Sequence, residues 1–244
     1  MSECLISRRG GTGIPPSVAY PIVAILTQSG TWTVPRSGTY RVTCIGSGGK
    51  AYMARTPSSA SYLWVYGGGG GGGIAESILN LSKSQQITIT VDEAISSFDN
   101  MESATAGNDA PQTSTIYSEM NNMGKQLGGS GGTATGGNIG NYDGYAGYIN
   151  NNNYAFVKTG GGTSEKSKYG TGELAFQIHG GTSAGDVPSG AAIEYSMSSI
   201  QLCKLFPTVL AVPPYGLGGT ACARGQLDII AVQFNGAVII EQIK

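Results

Sequence analysis

Apolar and polar residues alternate with a period of two in several short stretches of the chain. In Thr39–Ile45, Tyr40, Val42 and Cys44 fall on one side and Arg41 and Thr43 on the other. That pattern predicts a half-buried strand. Thr31–Val34 reads as a short strand stopped by Pro35, with Arg36, Ser37 and Gly38 supplying a turn. Ile74–Leu81 reads as a further strand, Lys83–Gln85 as a turn, and Gln86–Val91 alternates again. Near the C-terminus, Leu227–Phe234 and Ala237–Ile243 are β-rich runs joined through Asn235 and Gly236, a pairing that predicts a hairpin. One stretch has helical spacing: Ile193, Met197 and Ile200 within Ala191–Phe206 predict a short helix ended by Pro207.

These elements define an all-β fold. Residues 1–27 read as an N-terminal attachment segment and 28–244 as one domain. Its strand-rich parts are 28–100 and 226–244, and a Gly-rich insertion runs over about 101–225. The insertion shows no single period, which excludes collagen. A structureless stretch of that length would be unusual inside a compact domain.

Glycine changes the picture most. It supplies 40 of 244 residues, against a usual share of about 7%. Gly67, Gly68, Gly69, Gly70, Gly71, Gly72 and Gly73 are consecutive. Ordering each costs roughly 0.5–1 kcal/mol relative to alanine. The run is therefore either a flexible linker or a segment using bare backbone. In polyproline-II geometry the backbone groups point outward and must find partners when buried. Side by side, such segments can bond to one another only if no Cβ intervenes, and each bond returns a net ~0.5–1.5 kcal/mol. The second reading makes Gly67–Gly73 one rod of a backbone-bonded slab.

Charge adds exclusions. Fourteen basic residues face fifteen acidic ones, which argues against nucleic acid as a partner. No apolar run reaches the ~18–20 residues of a membrane span, so membrane insertion is not expected. Arg8 and Arg9 followed by an apolar stretch imitate an export signal, but Pro15, Pro16 and Pro21 interrupt it. Of four cysteines, Cys44 reads as a small buried apolar residue, and only Cys203 and Cys222 invite a test for a bridge.

Catalytic parts are scarce. His179 is the one histidine, leaving no set for a His-based metal site or a Ser-His-Asp triad. The stretch Gly46–Lys50 lacks the spacing of a phosphate loop, because Cys44 stands where the first glycine belongs. No enzyme activity, metal or cofactor is expected. Recognition chemistry is better represented. Tyr142, Tyr145, Tyr148 and Tyr154 interleave with glycine and with Asn150, Asn151, Asn152 and Asn153. Tyrosine gives rigid amphipathic contact area, and asparagine and glycine add adaptable hydrogen bonding. These residues contact a receptor, cover the edges of the glycine slab or are disordered.

The order of motifs resembles the glycine-rich domain of phage and prophage tail-fibre proteins. TWTVPRSGTYRVTCIGSGG (31–49) is followed by the glycine run, IAESILNLSKSQQITITV (74–91), Ser96-Ser97-Phe98 and SATAGN (103–108), and GAVIIEQIK (236–244) closes the chain. The resemblance covers roughly 28–110 and 215–244. It implies a β-sandwich, jelly-roll-like, with long Gly-rich insertions that include packed polyglycine-II helices. It also implies a place at the tip of a fibre on a virion or phage-tail-like particle, docked to an upstream tail-fibre protein and binding a bacterial surface glycan or other outer-surface receptor. Both a homotrimer and a monomer fit that setting. The alternatives are a fibre-borne polysaccharide depolymerase and a structural Gly-rich protein of the bacterial surface. Two departures stand out: Asp92-Glu93-Ala94 replaces expected glycine, and a non-glycine insert spans Lys50–Val65, with Tyr52, Tyr62 and Trp64. The insert reads as either a binding loop or an edge strand.

Overall fold

The structure is a computed structural model. It describes residues 20–50, 52–56, 63–110, 128–147, 149–150, 156–157, 161–164, 166–170, 174–178, 191–195, 215–218, 220–224, 228–232 and 234–244. Secondary structure among them is all β. The strands that form the main body are β1 (Ile22–Leu26), β2 (Gly30–Thr33), β3 (Gly38–Ile45), β6 (Ile74–Leu81), β7 (Gln86–Val91), β8 (Ile95–Phe98), β9 (Glu102–Thr105), β10 (Ala134–Thr135), β11 (Gly140–Tyr142) and β18 (Ala237–Gln242). They make two five-stranded antiparallel sheets, ordered β1-β18-β3-β6-β11 and β10-β9-β8-β7-β2.

The alternation in β3 sets the core. Tyr40, Val42 and Cys44 are fully buried and cluster with Val238 and Ile240 of β18 and with Ile87, Ile89, Phe98 and Ala104 of the second sheet. Trp32 packs edge-on against Tyr40, with ring centroids 5.8 Å apart. The Tyr40 hydroxyl donates to the Arg36 carbonyl at 2.6 Å, so this buried aromatic keeps a polar partner.

The opposite face of β3 carries Arg41, half-buried, and Thr43, fully buried. Arg41 pairs with Glu76 of β6 at 3.0 Å. Lys168 pairs with the buried Glu241 of β18, and the Ser167 hydroxyl donates to Glu76. Tyr169 packs with Ile45, Ile74 and Ile239 in a second cluster. Residues 167–169 thus cover the outer face of the first sheet.

The remaining strands form three small sheets. One is β12-β5-β4, from β4 (Tyr52–Thr56), β5 (Leu63–Gly67) and β12 (Ile149–Asn150). Another is β13-β14-β15, from β13 (Phe156–Val157), β14 (Leu174–Ile178) and β15 (Ala191–Tyr195). The last is the pair β16 (Thr220–Arg224) and β17 (Asp228–Val232).

Two expectations are corrected here. Asn235 and Gly236 do not turn a hairpin: β17 pairs with β16, while β18 inserts between β1 and β3. The carbonyls of Phe234 and Asn235 instead accept from Gly48 and Gly216 at 2.9 and 3.0 Å. The segment predicted as helix begins with β15, which runs parallel to β14 from Leu174↔Ala191 to Ile178↔Tyr195. Residues 196–206 lie outside the described residues, as do 1–19 of the attachment segment.

Candidate functional site

The strands of both sheets run directly into glycine-rich segments. β3 continues into 46–50, β9 into 106–110 and β11 into 143–147, while 68–73 leads into β6 and 128–133 into β10. Gly68–Gly73 is buried throughout. Its amides donate outward in a repeating order: Gly70 to Asn108 at 2.9 Å, Gly71 to Tyr145 at 2.9 Å, Gly72 to Gly216 at 2.7 Å and Gly73 to Thr105 at 3.1 Å. Its carbonyls accept in the same rhythm. Gly68 and Gly71 receive Gly129 and Gly132, Gly69 receives Gly161, and Gly70 and Gly73 receive Gly49 and Gly46, all at 2.8–3.0 Å.

Partners therefore recur every three residues, and six different segments surround the central one. Three of them accept from it (105–108, 145 and 216) and three donate to it (46–49, 129–132 and 161). The six also bond to one another. Gly107 donates to Ser47, Asn108 to Ser130, Gly144 to Gly132, Tyr145 to Gly162 and Gly218 to Gly161, each at 2.8–2.9 Å.

Packing at this range leaves no room for side chains. A Cβ on Gly69, Gly70, Gly71, Gly72 or Gly73 would lie closer than 3.0 Å to a backbone carbonyl of Gly49, Ser130, Gly162, Gly46 or Thr133 respectively. The neighbours too repeat every three residues. Backbone cannot step aside as the end of a flexible side chain can, so glycine is required here by close approach. Gly67 differs from the other six: it ends β5 and pairs with Tyr52 and Ile149.

The tyrosine and asparagine candidates divide. Tyr142 is half-buried against Ile45, Ile74 and Ile239, and Tyr145 is half-buried with its backbone bonded into the bundle. Asn150 is in β12, opposite Tyr66. Tyr148, Asn151, Asn152, Asn153 and Tyr154 lie outside the described residues, as do His179 and Cys203. Cys44 is free and buried.

The stretch dismissed as a phosphate loop is one of the bundle's segments. Asp92 accepts from the amides of Ala94 and Ile95, both at 2.8 Å, and so forms a turn. Glu93 is exposed and pairs with Lys50 at 3.2 Å. Among the described residues no group of three or more His, Cys, Asp or Glu could hold a metal ion, and no helix is long and apolar enough to cross a membrane.

One buried carboxyl escaped the sequence reading. Glu102 of β9 lies against the Cys44 thiol, 3.6 Å away. Burial pushes its pKa up to about 7, against hydrogen bonds from Ser77 and Cys44 that lower it, and nearby Glu76 adds to the rise. Burial raises the Cys44 thiol as well, helped by the Glu102 charge. The raised Cys44 thiol stays un-ionised at neutral pH, as expected of a buried packing group. No family model, curated protein or solved structure matches the chain.

Proposed function

We propose that this chain is the tip protein of a fibre on a phage or phage-tail-like particle, and that it binds a receptor on the bacterial surface, a glycan, without a covalent step. In this reading the two sheets are the layers of a jelly-roll-like sandwich, and the bundle is a set of packed polyglycine-II helices that continues it. One observation carries the reading: a glycine segment bonded to six neighbours with a three-residue repeat. Three residues per turn and outward-pointing backbone groups are the properties of that helix.

Such a core suits a receptor-binding tip. It is held by backbone, so its stiffness does not depend on the side chains of the segments it connects. Residues 68, 129, 147, 161 and 218 are linked through one end of the bundle, because Gly129 and Gly161 bond to Gly68 and Gly69, Gly147 to Gly129 and Gly218 to Gly161. The sheets occupy the other end. Chain between those residues can vary without disturbing the scaffold, the arrangement favoured for binding loops. The tyrosine- and asparagine-rich stretch leaves the bundle at Gly147, and its composition suits polar, ring-shaped ligands.

The test is adhesion of the purified protein to a panel of bacterial strains, with residues 151–155 replaced by Ser/Gly in a second protein. Tyr142 and Tyr145 stay in place because the fold uses them. Loss of adhesion with an unchanged melting temperature supports the reading. Failure of the unaltered protein to bind any strain contradicts it.

A further inference from the structure

The two sides of the sandwich end differently. On one side the first sheet ends at β11 and the second at β10, strands of three and two residues. Asparagine side chains take up backbone groups there. Asn138 accepts from the Ile78 amide and donates to the Ile78 carbonyl, both at 2.9 Å. Asn141 does the same for Gly137, at 2.9 and 2.8 Å. Groups that an incoming strand would need are already used, and short strands with occupied edges resist pairing.

The other side is built in the opposite way. The first sheet ends at β1 and the second at β2, five and four residues long. Only residues 27–29 join them, so both edges lie on the same side. Among the described residues, neither edge has a partner strand beyond it. Residues 21–35 carry no charge. A Cβ on Gly30 would meet nothing within 4 Å, so the space beside β2 is open. Ile22, Val23 and Ile25 are three of the six exposed large apolar side chains among the described residues, each at 37–38% exposure. Ala24 and Leu26 pack on the core instead. A bulge falls between Ile22 and Ala24, while Ala24, Ile25 and Leu26 keep regular register against Ile240, Ile239 and Val238. The bulge and Pro21 thus blunt only the start of β1.

The chemistry of this edge selects what covers it. Outward N–H and C=O groups call for a second extended backbone. Exposed valine and isoleucine beside them call for apolar, β-branched neighbours across the pair. A segment rich in charge would find no counter-charge. β1 itself, Ile-Val-Ala-Ile-Leu, meets all three conditions. Two identical edges match when a twofold axis sets them antiparallel, and closed twofold pairs are the commonest oligomers. We infer that β1 is a self-association edge: two copies of this chain pair β1 to β1, antiparallel, and join their five-stranded first sheets into one continuous sheet. The inference does not rest on the proposed receptor binding, which concerns the far end of the bundle.

The experiment is sedimentation velocity of the purified full chain at rising concentration. The expected result is a monomer–dimer equilibrium. Ile25→Lys and Ile25→Glu should each sediment as a monomer where the unaltered chain is a dimer, because the twofold repeats the change in both copies and like charges across a strand pair repel. An equimolar mixture of the two variants should dimerise again, which separates lost pairing from misfolding. Ile139→Lys changes a side chain that is 44% exposed next to β11, and should leave the dimer intact. Hydrogen exchange of the β1 amides should be slower in the unaltered dimer than in Ile25→Lys.

A chain that stays monomeric up to its solubility limit overturns the inference. So does a trimer or larger ring, which twofold pairing of one edge cannot form. A dimer that persists in both Ile25 variants places the contact elsewhere and overturns it too, as does a mixture of the two variants that stays monomeric. Each of these results leaves the adhesion test of the receptor-binding reading unaffected.

Discussion

The molecule has two interiors built on opposite rules. Between the sheets, Tyr40, Phe98, Ile87, Ile89 and Ile240 exclude water with side chains, and the backbone is satisfied within the strands. In the bundle, Gly68–Gly73 is as buried as those strands but contributes no side chain, and adjoining segments supply its hydrogen-bond partners. Truncating a side chain harms the first interior by leaving a cavity. The second is harmed by adding a single methyl group. Glycine is thus an order-promoting residue here, because the alternative at each position is a collision with another segment's carbonyl.

The largest effect expected from breaking this contrast is on the side-chain core. Phe98→Ala should destabilise the protein by about 3–5 kcal/mol, measured by urea denaturation. A loss under about 1 kcal/mol would mean that the sheets do not share the interior described.

Next is the carboxyl that the side-chain core encloses. Glu102 has a folded pKa of about 7 against an ordinary value of 4.5. A raised pKa means that the folded protein holds this proton more tightly than the unfolded chain. Its contribution is fully present below pH 4.5 and is lost as pH rises through 7. The shift corresponds to about 3 kcal/mol. Stability should fall across that window in the unaltered protein and fall less in Glu102→Gln. Identical slopes would contradict the burial of this group.

A smaller loss, with an opposite structural cause, is expected in the bundle. Gly70→Ala places a Cβ against the Ser130 carbonyl and should destabilise by about 1–3 kcal/mol, the usual range for overpacking. Gly30 sharpens the comparison. It belongs to β2, and a Cβ there would meet nothing within 4 Å. Gly30→Ala should be neutral or stabilise by up to about 1 kcal/mol, since alanine restricts the unfolded chain. Equal effects at Gly30 and Gly70 would remove the distinction between the two interiors.

Much of the side-chain interior was legible in the sequence, because alternation is a local signal. Tyr40, Val42 and Cys44 face the core as their spacing predicts, and β6 and β7 keep their predicted bounds. What the sequence hid depends on residues far apart in the chain. Asn235 and Gly236 carry a strong turn signal, yet bonds from Gly48 and Gly216 hold that stretch in the bundle. Arg41 and Thr43 look like a solvent face, yet Thr43 is fully buried and the half-buried Arg41 pairs with Glu76, whose carboxylate also accepts from Ser167. Nothing near Glu102 marks it as buried, since Cys44 lies 58 positions away. Of the candidates that composition singled out, Tyr142 packs against the second cluster and Tyr145 is bonded into the bundle.

The most direct test of the bundle is amide exchange in protein labelled with 15N-glycine, followed by NMR. The account predicts that Gly70, Gly71, Gly72 and Gly73 exchange as slowly as the amides of β3 and β18, since each donates to a carbonyl of a neighbouring segment. Exchange of these four at the rate of an unstructured peptide would contradict it.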